Sequence, residues 1–244
     1  MSKTIYVIAG PNGVGKTLST ENLIPAGIRT VNGDLIHFEL FGTHTSSLIS
    51  SEAAKASSKE LMKMLVMDGS SFSFETNLAK ENEWKQLEKL QKLGYEVQVL
   101  FVSVNDKETL NKRITDRVKT GKGHFVDPVI VEHRYNEGLR LLNHNFHVPD
   151  KLILINNSVK IDCVLIAEKG KVVFRENILP IWVNNHLATR LIPGQGTETR
   201  NPIEMETIAQ VKARLAEIAI KPIIKAESKQ DELPLNETKK GLKK

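Results

Sequence analysis

The chain has 244 residues, 40% hydrophobic and 26% charged, with a single cysteine, Cys163; these are globular proportions that exclude wholesale disorder and any intramolecular disulfide framework. Its net charge of +5 is concentrated at one end: seven lysines against four acidic residues lie between Lys221 and Lys244, leaving +2 for the preceding 220 residues. That distribution makes a basic tail rather than a basic domain, and it argues against a nucleic-acid partner.

Only Met1 to Thr4 precede the apolar run Ile5 to Ala9, too little for a signal peptide, and no stretch approaches the roughly 18 apolar residues of a membrane span. A soluble cytoplasmic protein is expected. Thr4 to Ala9 reads as a buried strand that ends at Gly10-Pro11, and Thr17 to Asn22 opens a helix. Arg29 to Val31 is a second β-type run, followed by the turn chemistry of Asn32-Gly33-Asp34. Ser50 to Met67 is rich in helix formers and stops at Asp68-Gly69, with a short strand at Phe72 to Phe74. Trp84, Leu87, Leu90 and Leu93 mark one side of a helix that Gly94 ends, and Val97 to Val104 is the next strand. Unbroken apolar strands alternating with helices predict an α/β domain with a parallel sheet covered on both faces.

Glu108 to Val118 reads as a charged helix, Thr120 to Pro128 as a glycine-punctuated loop, and Val129 to about Leu142 as a second helix. Together they form a helical hairpin carrying Arg113, Arg117 and Arg134. Lys151 to Ile155 is another strand, and Cys163 to Ala167 with Lys171 to Phe174 flank Glu168-Lys169-Gly170 as a hairpin-like pair. Asn201-Pro202 begins a last helix with the apolar stripe Ile208, Val211, Leu215 and Ile218. The expected organisation is a domain over 1–190 with the hairpin at about 108–142 as a lid, a helical extension over 191–220, and a disordered basic tail over 221–244.

Gly10-Pro11-Asn12-Gly13-Val14-Gly15-Lys16-Thr17 matches G-x-x-x-x-G-K-[ST] between a predicted strand and a predicted helix, the context in which that pattern binds nucleotide phosphates. Its glycines let backbone N–H groups turn inward around phosphates, and the helix N-terminus adds a favourable dipole. Lys16 supplies a point charge to the β- and γ-phosphates, and the Thr17 hydroxyl is a Mg²⁺ ligand.

The acceptor side is less determined by pattern. Asp34 falls at the carboxyl end of the second strand, where open α/β sheets bind ligands, and reads equally as a functional carboxylate, a base for an attacking hydroxyl or a Mg²⁺ ligand, or as a turn residue. Glu75-Thr76 follows the strand Ser71 to Phe74 and reaches the same edge; Thr76 reads as an acceptor contact or as a helix cap. The three arginines read as phosphoryl ligands on a closing hairpin or as solvated surface charges. His124 is a phosphate contact or orders its loop. Cys163 reads as a small buried hydrophobe, and neither it nor the seven histidines have metal-ligand spacing.

This constellation resembles the zeta toxin family of P-loop kinases. The resemblance rests on G-P-N-G-V-G-K-T at 10–17, V-N-G-D at 31–34, F-E-T-N-L at 74–78, R-V-x-x-G-x-G-H at 117–124, H-R-Y at 133–135, N-N-S at 156–158 and P-I-W at 180–182. It covers roughly residues 3–185, with departures at Gly33, Lys122, Asp127-Pro128 and Asn156. It implies a three-layer P-loop NTPase fold with about five parallel strands and a helical lid. It also implies an ATP- or GTP-dependent, Mg²⁺-requiring kinase that phosphorylates a hydroxyl of a small molecule, with UDP-N-acetylglucosamine the best-known acceptor; the family includes both toxins held by an antitoxin protein and stand-alone bacterial members without toxin context, and the sequence leaves both open. By that resemblance Lys16 and Thr17 hold phosphates and Mg²⁺, Asp34 is the catalytic base, and Asn32, Glu75, Thr76 and His124 face the acceptor. Arg117 and Arg134 stabilise the transferring phosphoryl, with Arg113 in reserve. Two other readings use the same P-loop, a nucleic-acid 5′-hydroxyl kinase and a non-catalytic ATP-binding regulatory module; the low charge of the core and 5% aromatics rank the former well below a small-molecule kinase.

Overall fold

Strand β1 (Thr4–Ala9) is buried along nearly its whole length in the middle of a sheet. The computed structural model describes residues 3–43, 47–121, 123–191 and 213. Strands β2 (Arg29–Val31), β3 (Phe72–Thr76), β4 (Glu96–Ser103) and β5 (Lys151–Asn156) run parallel with β1, while β6 (Asp162–Glu168) and β7 (Lys171–Arg175) add an antiparallel hairpin. Their spatial order is β2-β3-β1-β4-β5-β6-β7. The fold is thus the expected α/β type, but its sheet has seven strands rather than about five. The parallel core is five-stranded as expected, and the predicted hairpin pairs with the free edge of β5 and extends the sheet. Lys169 and Gly170, both at positive φ, make its two-residue turn.

The connections are helices: α1 (Lys16–Leu23), α2 (Gly33–Phe41), α3 (Leu48–Met67), α4 (Glu81–Lys92), α5 (Lys107–Lys119), α6 (Pro128–His144) and α7 (Ile181–Leu187). Helix α4 buries three residues of its predicted stripe, Trp84, Leu87 and Leu90, with the Trp84 indole N–H donating to the Leu78 carbonyl at 3.1 Å, while the fourth, Leu93, caps the helix and is exposed. One continuous core joins both faces of the sheet, with Phe72, Phe101, Phe146 and Trp182 almost fully enclosed.

Two helices depart from the sequence reading. Asn32-Gly33-Asp34 is a helix start, not a free turn: the Asn32 carboxamide oxygen accepts from the backbone N–H groups of Asp34 and Leu35 at 2.9 and 3.2 Å, and α2 follows. Left-handed Gly42 closes α2 by donating to the Phe38 carbonyl. Helix α2 escapes pattern analysis because Leu35, Phe38, Leu40 and Phe41 are exposed while His37 is buried, the reverse of an inward apolar stripe. Helix α7 is the other addition, anchored by Trp182, whose indole N–H donates to Asn156 Oδ1 at 3.2 Å. The expected last helix and basic tail lie outside the described residues, Ala213 apart. Among the described residues no helix is long and apolar enough to cross a membrane.

Candidate active site

Strand register assembles the site. Ala9 pairs with Thr76, and Val31 and Val7 both pair with Phe74, so β1, β2 and β3 end at one edge and deliver the P-loop, Asn32 and Glu75-Thr76 side by side. The carboxyl edge of an open parallel sheet is where such folds bind ligands.

The P-loop turns sharply out of β1. Gly10 has φ +133°, and a Cβ there would stand 2.1 Å from the Val102 carbonyl oxygen of the neighbouring strand, so only glycine fits. Lys16, on the first turn of α1, curls back over the loop and donates to the carbonyls of Gly10 and Pro11 at 2.9 and 3.1 Å and to Asn77 Oδ1 at 3.4 Å. Burial lowers its pKa from 10.5 to about 8, while Glu75 and Asp34 oppose that shift. Burial in turn raises the pKa of Glu75, against the pull of Lys16 and of side-chain hydrogen bonds to Asn32 and Thr17. Lysine and glutamate thus form one electrostatic unit, each holding the other charged.

Beside the P-loop lies a cavity of about 420 Å³, the size of a small-molecule site. Asn12, Lys16, Asn32, Asp34, Glu75, Thr76, His124 and Arg134 all line it, bringing most of the sequence-derived candidates together. Asp34 sits exposed in the first turn of α2, on the rim. The Thr76 hydroxyl donates to Glu83 Oε1 at 2.7 Å and accepts from the Leu78 N–H, so it anchors the approach to α4 as well as facing the cavity.

The hairpin of α5 and α6 closes over the opposite side of the P-loop. A Cβ at Gly13 would meet the Leu110 carbonyl of α5 at 2.7 Å, and Arg134 of α6 donates to Asn12 Oδ1 at 2.7 Å. The three arginines separate here. Arg134 lines the cavity; Arg117 lies against Gly123 in the loop between the helices, near enough to Lys16 to depress its pKa. Arg113 does not line the cavity, and its guanidinium donates to the carbonyls of Asn157 and Ser158 at 2.8 and 3.4 Å. Lys122 lies outside the described residues.

The profile of the Zeta toxin family matches residues 1–178. This chain belongs to the Zeta toxin family. It is accordingly a P-loop phosphotransferase, a kinase. No curated protein matches the sequence. Among solved structures, the AvrRxo1-ORF1:AvrRxo1-ORF2 complex with sulphate ions is similar with a TM-score of 0.61 at 15% identity, over 89% of this chain and 77% of that one. The same complex with ATP gives 0.59 at 14% identity, with the same coverage of both chains. The PezAT chromosomal toxin-antitoxin system of Streptococcus pneumoniae gives 0.50 at 18% identity, over 91% of this chain and 89% of that one. At such identities the likeness is one of fold.

The Zeta toxin fold here also recruits residues for which the sequence suggested no role. Asn157, at the end of β5, donates from its amide nitrogen to the Val14 carbonyl at 2.8 Å and so supports the P-loop from behind. A polar residue just past an apolar parallel strand was the available signal. His37 lines the cavity, with Nδ1 donating to the Thr43 carbonyl at 3.1 Å and Nε2 2.9 Å from Ser50 Oγ, tying α2 to α3. Nothing in the local sequence marks that contact.

Proposed function

We propose that this chain transfers the γ-phosphoryl of ATP or GTP to a hydroxyl of a small acceptor of the nucleotide-sugar class, UDP-N-acetylglucosamine being the first to test. The observation that carries this reading is the shared cavity: Lys16 of the P-loop, Asp34 and Glu75 line it together, near enough for both carboxylates to act on the lysine's charge. In the proposed step Asp34 accepts the proton of the acceptor hydroxyl as the new O–P bond forms. The bond from the γ-phosphorus to the bridging oxygen breaks, and the nucleoside diphosphate leaves with the electron pair. Lys16, Arg134 and Arg117 offset charge on the transferring group, and Asn32, Glu75, Thr76 and His124 orient the acceptor.

The donor set fits Mg²⁺. Among the described residues no group of three or more His, Cys, Asp or Glu side chains could cage a metal by itself. Thr17 and the neighbouring carboxylates instead offer the few hard oxygens that Mg²⁺ takes alongside nucleotide phosphates. When bound, the ion neutralises charge on the phosphates. Arg113, held by Asn157 and Ser158, positions α5 rather than touching the transferring group. An antitoxin is the proposed protein partner, a reading supported by family membership and by the toxin-antitoxin system among the similar folds.

Incubation with ATP or GTP and Mg²⁺ against a metabolite extract, read by mass spectrometry, tests the reaction. A nucleotide sugar that gains one phosphate is the expected product. Nucleoside diphosphate and free phosphate alone, under every condition, would sink the kinase reading of the acceptor.

A further inference from the structure

Helix α2 carries Asp34, yet apolar packing does little to hold it. Leu35, Phe38, Leu40 and Phe41 are each more than two-fifths exposed, Ile36 is partly buried against the core, and His37 is the one α2 residue that is buried. Burying a polar ring costs free energy unless its nitrogens find partners. Here both do. Nδ1 donates to the Thr43 carbonyl at 3.1 Å, just past the left-handed cap Gly42, and Nε2 lies 2.9 Å from Ser50 Oγ on the first turn of α3.

Ser50 is itself fixed. It is buried, its Oγ accepts from the Ser47 backbone N–H at 2.9 Å, and its own N–H donates to Ser47 Oγ at 3.1 Å, the reciprocal cap that starts α3. The His37 ring also lies against the Phe41 ring, with centroids 5.0 Å apart. The imidazole thus joins the closing turn of α2 to the cap of α3. At the other end of α2, the Asn32 carboxamide receives the N–H groups of Asp34 and Leu35. Asp34 therefore lies between two polar anchors. It stands three residues before His37, on a neighbouring position of the same helix surface, and both line the cavity with Lys16.

We propose that His37 is a positioning residue for Asp34. The ring takes no part in proton transfer, because Thr43 and Ser50 occupy both of its nitrogens. It sets how α2 stands against α3, and so where the Asp34 carboxylate meets an acceptor hydroxyl. With the apolar side chains of α2 facing outward, loss of these two hydrogen bonds lets the helix shift. A displacement of about 1 Å at a reacting group costs about 10²-fold in rate. The proposal rests on Asp34 as the base; that the histidine holds α2 does not depend on the reaction.

His37→Phe keeps the bulk of the ring and its contact with Phe41 and removes both nitrogens. Ser50→Ala breaks the same contact from α3 and serves if the first variant does not fold. Phosphate transfer from ATP to UDP-N-acetylglucosamine, or into the metabolite extract if that sugar is refused, gives turnover. In His37→Phe it should fall about 10- to 100-fold, with KM for ATP and AMP-PNP affinity within about twofold of the parent. The double variant should lose no more turnover than His37→Phe alone, since both substitutions remove one contact. His37→Asn, whose amide nitrogen can take the place of Nδ1, should recover part of the turnover.

Hydrogen exchange at the Gly42 amide, which closes α2 on the Phe38 carbonyl, reads the hold without any reaction. It should quicken about tenfold or more in His37→Phe. Parent-like turnover and exchange in both single variants, or a fall in turnover matched by an equal fall in AMP-PNP affinity, overturns the positioning role. Faster exchange in a protein whose parent form transfers phosphate to nothing keeps the hold on α2 and fails the kinase step alone.

Discussion

Asn157 Nδ2 donates a 2.8 Å hydrogen bond to the Val14 carbonyl and stands 2.7 Å from where a Cβ on residue 15 would lie. The nucleotide loop is thus fixed from behind by a side chain 143 residues away in sequence. The same segment receives Arg113 of α5 through the Asn157 and Ser158 carbonyls, and Trp182 of α7 through Asn156 Oδ1. The three residues after the apolar part of β5 therefore join the P-loop, the helical hairpin and α7.

Replacing Asn157 by Ala should leave the buried Val14 carbonyl without its partner, at about 1–3 kcal/mol of stability. A loosened loop should also bind ATP roughly tenfold more weakly, the factor that about 1.4 kcal/mol carries. Urea unfolding and nucleotide titration check both effects, and parent-like values in both would mean that the contact does not hold the loop.

Lys16, with its pKa lowered to about 8, should make nucleotide affinity fall as pH rises through 8, because only the protonated amine attracts phosphate. ATP binding above that pH should take up a proton. Between 8 and its ordinary value of 10.5 the unfolded chain holds the extra proton, so from this group the nucleotide-free protein gains stability with rising pH across that window. Glu75 is the largest influence keeping Lys16 charged, so Glu75→Gln should move the fall in affinity to lower pH, while Lys16→Arg should flatten it. Calorimetric titration in buffers of different ionisation enthalpy reads the proton uptake directly.

Asp34→Asn should lower phosphate transfer by about 10²–10⁴-fold, the usual loss when a positioned base is removed. ATP affinity at pH 7 should stay within a few-fold, since Glu75, the larger of the two carboxylate influences that keep Lys16 charged, remains in place. Transfer at the parent rate would remove Asp34 from the role of base.

Arg134 and Arg113 should separate in the same assay. Arg134→Ala removes a guanidinium that lines the cavity and holds Asn12, and should cost about 10²-fold or more in turnover, as loss of one preorganised donor does. Arg113→Ala removes donors to two backbone carbonyls instead, and should lower the melting temperature while turnover at saturating substrates falls less than Arg134→Ala makes it fall.

Strand and helix positions were largely legible because their causes are local. The apolar runs of β1 and β4 and the stripe of α4 carry their own periodicity, and the P-loop pattern between strand and helix marks phosphate binding before any contact is known. Helix α2 was illegible for the same reason in reverse: its apolar residues face outward, so its sequence has the residues of a helix without an inward face. Asp34 reads from the sequence as part of a turn, where Asn32 in fact caps the helix that carries it.

The sequence by itself determined the class of protein, because an α/β alternation and a glycine-lined phosphate loop are written in contiguous residues. Tertiary structure alone decided which candidates meet. Strand register set Glu75 beside Lys16, burial lowered the lysine's pKa against the pull of that carboxylate, and packing turned Arg134 to the cavity and Arg113 to the β5–β6 loop. Such relations depend on desolvation and on distances between residues far apart in the chain, and no window of sequence contains them.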